Sequence, residues 1–288
     1  MRGFFIPAAV VASAITFAQM ASAAPPPPQV YDWTGWYVGL NAGANWGGDP
    51  VSTTASNSEF CPPGSCGFAL ATAQASIEGA TGRFPVRTDG FIGGGQFGYN
   101  WQFARLWVAG FEADFQGLAG ASGSRSRSSS AAVSGFAGHG VGTGLSVTKR
   151  IDYLGTVRGR LGYLVMPGLL VFGTGGFAWG HVNSGTRISQ HLIGVFGGVA
   201  TSFGAASGVS RMAGGWTAGG GFEWMFAPNW TARIGYLYFD LGKVTYNSQI
   251  ADRITTPAPP TTYYFVNDVR STTRFNGNIV RAGLNYHF

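Results

Sequence analysis

Charge is scarce in this chain. Asp, Glu, Lys and Arg together supply 10% of its 288 residues, against the ~25% usual in soluble domains. So few charges would struggle to cover the surface of a soluble protein of this length. Long apolar runs are missing as well. Beyond residue 24 nothing approaches the ~20 consecutive apolar residues that a spanning helix needs. A mean hydropathy of only +0.11 agrees in excluding a bundle of membrane helices. Cysteine is limited to Cys61 and Cys66, within "CPPGSC", and histidine to four residues. What is plentiful is glycine, at 47 residues, and aromatic side chains, at 15%. Low charge, modest hydropathy and many aromatics fit a chain that meets lipid with every second residue of a strand.

The amino terminus addresses the chain for export. Arg2 precedes "GFFIPAAVVASAITFAQM" and then "ASA", the charged, apolar and small-residue order of a cleaved signal peptide. Residues 1–23 are therefore set aside, residues 24–32 form a proline-rich extended lead-in, and residues 33–288 carry the fold. Export makes an oxidising compartment the destination, so Cys61 and Cys66 are expected to form a local disulfide that staples a loop. A zinc site would need two further ligands, and no nearby His or Cys pair offers them.

From Trp33 onward, alternating segments recur at the 9–11 residues of a tilted membrane strand. In "WYVGLNAGANW", Trp36, Val38, Leu40, Ala42, Ala44 and Trp46 share one face. Tyr37, Gly39, Asn41, Gly43 and Asn45 share the other, and a helical period would mix the two sets. Similar segments surround Tyr99, Phe111, Val157, Phe172, Phe222, Ile234 and Leu284, eight in all. The one around Phe172 is apolar on both faces, so its inside is left open. Short connections near Ala104, at "MPG" and at "APN" alternate with long Gly/Ser/Thr-rich stretches near 48–88, 119–148, 183–213 and 245–275. The fold class expected is all-β: an eight-stranded antiparallel up-and-down transmembrane barrel, with short periplasmic turns and long extracellular loops. Trp36, Trp46, Trp101, Trp107, Trp224 and Trp230 are expected to form its aromatic girdles.

The same alternation directs charge inward. Glu112, Asp114, Asp152 and Glu223 fall on lumen-facing positions with Arg158, Arg160, Arg233 and Arg281. Four acids against four bases suggest mutual neutralisation. Centring the "APN" turn on Pro228 sets Glu223 opposite Arg233. A one-residue slip would push these charges into lipid, where an Arg at the midplane costs ~2–4 kcal/mol. An eight-stranded barrel has an interior that side chains can just fill, so a packed polar core is expected in preference to a charge gate.

Other motifs carry less. Gly93, Gly95 and Gly98 match G-x-G-x-x-G, yet "YNWQF" follows where a dinucleotide site needs a helix. "SRSRSSS" at 124–130 is read as a solvated loop, with anionic lipopolysaccharide as the surface it would touch and no nucleic acid as partner. His139, His181 and His191 fall in predicted loops without a ligand pattern, and no histidine lies near an acid on its own strand face. Neither an enzyme nor a cofactor or metal site is expected.

The signal peptide, the opening "WTGWYVGLNAGANWG", the turn region "YNWQF" and the final "GLNYHF" resemble the porin-like outer-membrane surface proteins of Gram-negative bacteria, small barrels of the OmpA/OmpX-like kind. The resemblance implies an integral outer-membrane barrel with a structural and surface-contact role. It also implies contact with outer-membrane lipids and lipopolysaccharide, with the outer-membrane assembly machinery, and with a host or environmental ligand through the loops. A narrow porin for small solutes is the alternative, and haemin binding is found in some members. Tyr286 and Phe288 resemble the carboxy-terminal aromatic signal that the assembly machinery reads.

Overall fold

Alternation becomes a closed ring. The computed structural model describes residues 31–59, 67–194, 202–255 and 262–288. The expected signal peptide, most of the proline-rich lead-in, and Cys61 and Cys66 lie outside them. Among the described residues eleven strands and one helix follow in order: β1 (Gly35–Trp46), β2 (Val51–Glu59), α1 (Gly67–Ala80), β3 (Gly82–Phe84), β4 (Gly90–Phe103) and β5 (Trp107–Ala119) come first. They are followed by β6 (Ser122–Ala132), β7 (Gly140–Met166), β8 (Leu169–Ile193), β9 (Ser202–Ala227), β10 (Trp230–Thr255) and β11 (Thr262–His287). Eight of these strands, β1, β4, β5, β7, β8, β9, β10 and β11, pair antiparallel in that sequence. β11 closes on β1 from Tyr37↔His287 to Trp46↔Asn278. Closure satisfies backbone groups that lipid cannot.

The tight turns fall where the sequence places them. Non-glycine residues adopt positive φ there: Ala104 (49°), Arg105 (59°) and Asn229 (66°). The closing strand is tied down at its end, since His287 N donates to Asn229 O at 2.7 Å and Phe288 N to Trp36 O at 3.0 Å. Trp36 to Trp46 is ten residues along a tilted strand. At ~3.4 Å per residue and a tilt near 40° that gives roughly 25 Å, the height of the apolar band of an outer-membrane barrel.

The long connections are not the loops expected from composition. β7 to β11 run for 25–27 residues each, far beyond the span of a bilayer. The stretches near 119–148, 183–213 and 245–275 are largely sheet. Above the membrane the outer face meets water, so Gly, Ser and Thr replace the aromatics that advertise a strand in lipid. Only the inner face keeps apolar periodicity, as in Val141, Leu145 and Val147 of β7, all buried. "SRSRSSS" itself lies in β6, a strand off the ring that, among the described residues, pairs with β7. The 48–88 stretch holds β2, β3 and α1, with β2 and β3 extending the sheet beyond β11.

α1 packs inside this extracellular sheet. Phe68, Ala71, Ala73, Ala75 and Ala80 join a core with Val51, Phe84, Leu145, Ile188, Ile250 and Phe265. Ser76 Oγ donates to Gln190 Oε1 (2.7 Å), Gln190 Nε2 to Thr143 Oγ1 (2.9 Å) and Asn267 Nδ2 to Ser76 Oγ (3.0 Å). Ser76 thus fixes the helix to β8 and β11, and Gln190 ties that contact on to β7. A Cβ on Gly79 would lie 2.1 Å from Thr143 Oγ1, so only glycine lets helix and strand approach this closely.

Candidate functional site

Side chains on the inner face stack in layers along the barrel axis. At the turn end, Trp33, Val108, Leu164, Leu170 and Met225 form an apolar plug. Trp33 Nε1 donates to Pro167 O at 3.1 Å. Towards the loop end a second apolar layer includes Ile92, Ile151, Leu154, Leu237, Phe239 and Phe275. The ionic layer lies between them.

Seven of the eight charges assigned to the lumen meet in that layer, each 5% exposed or less. Glu112 and Arg158 face each other in register across β5 and β7 and form an ion pair. Glu112 also accepts from Arg233, from Arg281 Nη2 at 3.3 Å and from Tyr37 Oη at 2.7 Å. Asp114 accepts from Arg281 Nη1 at 2.8 Å and from Thr156 Oγ1 at 2.9 Å. Glu223 accepts from Arg160 Nη2 (2.6 Å), Thr231 Oγ1 (2.7 Å) and Asn285 Nδ2 (2.6 Å). Phe172, on the strand whose inside the pattern left open, points inward beneath two guanidiniums. The Arg160 and Arg233 Cζ atoms lie 4.3 and 4.8 Å from its ring centroid.

Two details differ from the sequence reading. Glu223 does stand opposite Arg233 in register, but their ion pairs go elsewhere, Glu223 to Arg160 and Arg233 to Glu112. Inward side chains of a narrow barrel converge on its axis and reach partners across the lumen. The second difference is Asp152, which is not a lumen residue. A bulge between Ile151 and Tyr153 shifts the register against β8, turning Ile151 inward and Asp152 out. The inner ionic layer thus contains three carboxylates against four guanidiniums, with one positive charge in excess.

Asp152 instead joins a group on the outer wall. Its Oδ2 accepts from His181 Nδ1 at 2.8 Å and from Asn183 Nδ2 at 2.7 Å, and Arg150 forms an ion pair with its other oxygen. Ser210 Oγ lies 3.3 Å from His181 Nε2. His181 and His191 stand on β8 and not in the loops expected, and the acid that His181 meets lies on the neighbouring strand β7, where a search along one strand face does not reach. A bulge leaves no mark in a strict alternation, and for that reason the pattern missed this group.

The six tryptophans expected in the girdles are all exposed on the outer wall. Trp36, Trp101, Trp107, Trp224 and Trp230 sit at the turn end, and Trp46 alone at the loop end. The loop-end aromatics are Phe91, Phe115, Phe177 and Trp216 beside Trp46, also exposed. Tyr286 and Phe288 lie on the outer wall at the turn end, their rings 5.3 Å apart.

A lipid-facing wall, closed pairing and a ring of eight tilted strands define an integral outer-membrane β-barrel. The chain belongs to the family described as outer membrane protein beta-barrel domain, whose profile matches residues 9–288. It is 33% identical over 262 residues to the 31 kDa outer-membrane immunogenic protein of Brucella melitensis biotype 1, covering 91% of this chain and 86% of that one. The protein of the same description from Brucella suis biovar 1 gives the same values. Among solved structures, the outer membrane protein OprG from Pseudomonas aeruginosa aligns with 90% of this chain and 100% of its own, at 11% identity and a TM-score of 0.36.

Proposed function

We propose that this protein is a closed barrel that anchors a rigid extracellular sheet for surface contact and binds lipopolysaccharide around its rim. The observation that carries this reading is the filled interior. An apolar plug, an ionic layer, a second apolar layer and the α1 core succeed one another along the axis, as expected where side chains occupy an eight-stranded barrel. Exposed Arg150, Arg187, Arg211, Lys243 and Arg270 stand on β7 to β11 beyond the loop-end aromatics, a basic band that suits the phosphates and acidic sugars of lipopolysaccharide. The Brucella relatives are named as immunogenic, which accords with a surface role here. Tyr286 and Phe288 keep their proposed part in recognition by the assembly machinery. Outer-membrane barrels of this kind need no turnover for the anchoring role.

A narrow pore is the second reading, favoured by the uncompensated positive charge of the ionic layer. Conductance of the refolded protein in a planar bilayer separates the two. The closed reading expects no steady openings. Openings that change in Glu223→Gln or Arg233→Gln would overturn it. For the rim, binding of lipopolysaccharide is expected to weaken when Arg211, Lys243 and Arg270 are changed together to Gln, and to weaken when the phosphates are removed.

A further inference from the structure

The group on the outer wall has the connectivity of a charge-relayed nucleophile. We propose that Ser210, His181 and Asp152 form a serine-hydrolase triad acting on acyl esters of lipids in the outer leaflet. Three strands assemble it through register: Asn183 stands opposite both Arg150 and Ser210, and His181 opposite both Tyr153 and Met212. Ser210 is thus the diagonal neighbour of His181. The bulge that turns Asp152 outward completes the set, which is a use bulges have beside active sites.

The roles follow from the atoms. Asp152 takes the Nδ1 side of His181 at 2.8 Å, which leaves Nε2 as a base towards Ser210 Oγ at 3.3 Å, within the looser range of an enzyme without substrate. Two contacts hold the imidazole and its acid. The Tyr153 ring stacks on His181 with centroids 6.0 Å apart and planes 18° apart, and Asn183 Nδ2 donates to Asp152 at 2.7 Å. The side chains of His181 and Asp152 are 31% and 25% exposed. They line an open groove of about 940 Å³ that includes Ser210, Arg150 and Ser124.

Position selects the substrate. His181 follows Phe177 and Trp179 on the outer face of β8, and Ser210 lies six residues before Trp216 on β9. His181 stands two residues, ~5 Å, and Ser210, opposite Asn183, four residues, ~10 Å, past Trp179 on a tilted strand. Both are at the lipid headgroups, so the acyl ester rises from the leaflet towards the groove to be cleaved. In the reaction, Ser210 Oγ attacks the acyl carbonyl carbon while its proton passes to His181 Nε2. Collapse breaks the acyl carbon–oxygen bond, and Nε2 returns the proton to the leaving alcohol. Water then attacks the acyl-serine, giving its proton to Nε2. The serine ester breaks, Ser210 recovers the proton, and a fatty acid leaves. Arg150, which lines the same groove and is held by its ion pair to Asp152, is the cation available to a developing oxyanion there.

The test uses the full barrel, extracted or refolded in detergent, with folding verified by heat-modifiable migration. A fluorophosphonate probe should label Ser210 covalently, as located by peptide mass. Fatty acid should be released from a diacyl phosphatidylethanolamine vesicle and not from its diether analogue. Ser210→Ala should lose both signals and His181→Ala should lower release at least ~100-fold. A correctly migrating wild-type barrel that neither labels nor releases fatty acid would overturn the proposal, and so would undiminished release from Ser210→Ala. Neither outcome bears on the anchor reading, which rests on the interior and not on this wall.

Discussion

Glu112 stands opposite Arg158 across β5 and β7, and the two side chains pair inside the barrel. From this contact the ionic layer branches. Glu112 also pairs with Arg233 and Arg281, and Arg158 also pairs with Asp114. Desolvating such a pair offsets much of its attraction, so its presence alone says little about stability. Breaking it is another matter, because the partner left behind remains charged in a dry site.

Glu112→Gln should therefore be costly. It removes the carboxylate shared by three guanidiniums, and a loss on the order of 3–5 kcal/mol is expected. Urea unfolding of the barrel refolded in lipid vesicles would measure it. Adding Arg158→Met to that variant should recover part of the loss, since one unpaired cation disappears with it. Strictly additive effects of the two changes would show that the pair is not coupled.

Glycine contacts separate the membrane ring from its extracellular filling. A Cβ on Gly94 would meet the Phe115 carbonyl oxygen at 2.0 Å, whereas one on Gly79 would meet the Thr143 side chain. Gly94→Val is expected to prevent assembly of a heat-modifiable barrel. Gly79→Val should leave that migration intact while exposing α1 to thermolysin, with cleavage mapped to residues 67–80. Equal behaviour of the two variants would refute the separation.

Much of this architecture was legible in the alternation. The outward set around Trp36 and Leu40, the inward set around Tyr37 and Asn41, and the closing strand through Arg281 all follow from a period of two. The inward charges were legible too, because lipid forbids the other register. Three features were not. Asp152 changes side through a bulge that no periodicity announces. α1 is built from "GFALATAQASIEGA", where small residues are buried on several sides and no amphipathic stripe marks the helix. The sheet above the membrane carries Ser, Thr and Gly on its wet face, so composition suggested loops where paired strands continue.

Orientation has a direct test in the β6–β7 turn. Gly135 and Gly138 adopt φ of 81° and 78°, and a Cβ on either would meet nothing within 4 Å, so both are open positions of the turn. An epitope tag placed after Ser134 should bind antibody on intact cells. The same tag after Gly168, in the β7–β8 turn, should become reachable only once the outer membrane is opened. The reverse pattern would invert the barrel.

Phe288 should matter for assembly more than for stability. Its side chain is 71% exposed on the outer wall, so Phe288→Lys loses little packing but places a charge beside Tyr286 at the turn-end rim. Slower accumulation of the folded form in cells is expected, with unfolding of the purified barrel changed by less than ~1 kcal/mol. Normal accumulation would remove Phe288 from the assembly signal.

Lys149 gives the extracellular part a pH dependence. It lies four residues above Tyr153 on β7, outside the membrane band, with Nζ donating to Asp49 O at 3.1 Å and Arg274 O at 2.6 Å. Burial lowers its ammonium from the ordinary 10.5 to about 8. Below pH 8 the group is charged in both folded and unfolded chains, and the cost of burying the charge is fully present. Between about 8 and 10.5 the unfolded chain binds more protons, so stability rises with pH across that window. The gain is roughly 3 kcal/mol at most, at ~1.36 kcal/mol per unit. Other groups titrate there as well, and comparison with Lys149→Met cancels them. The variant's stability advantage over the wild type should shrink steadily from pH 8 to pH 10.5 when unfolding is followed by hydrogen exchange of α1. An advantage that stays constant across the window would show that Lys149 does not titrate there.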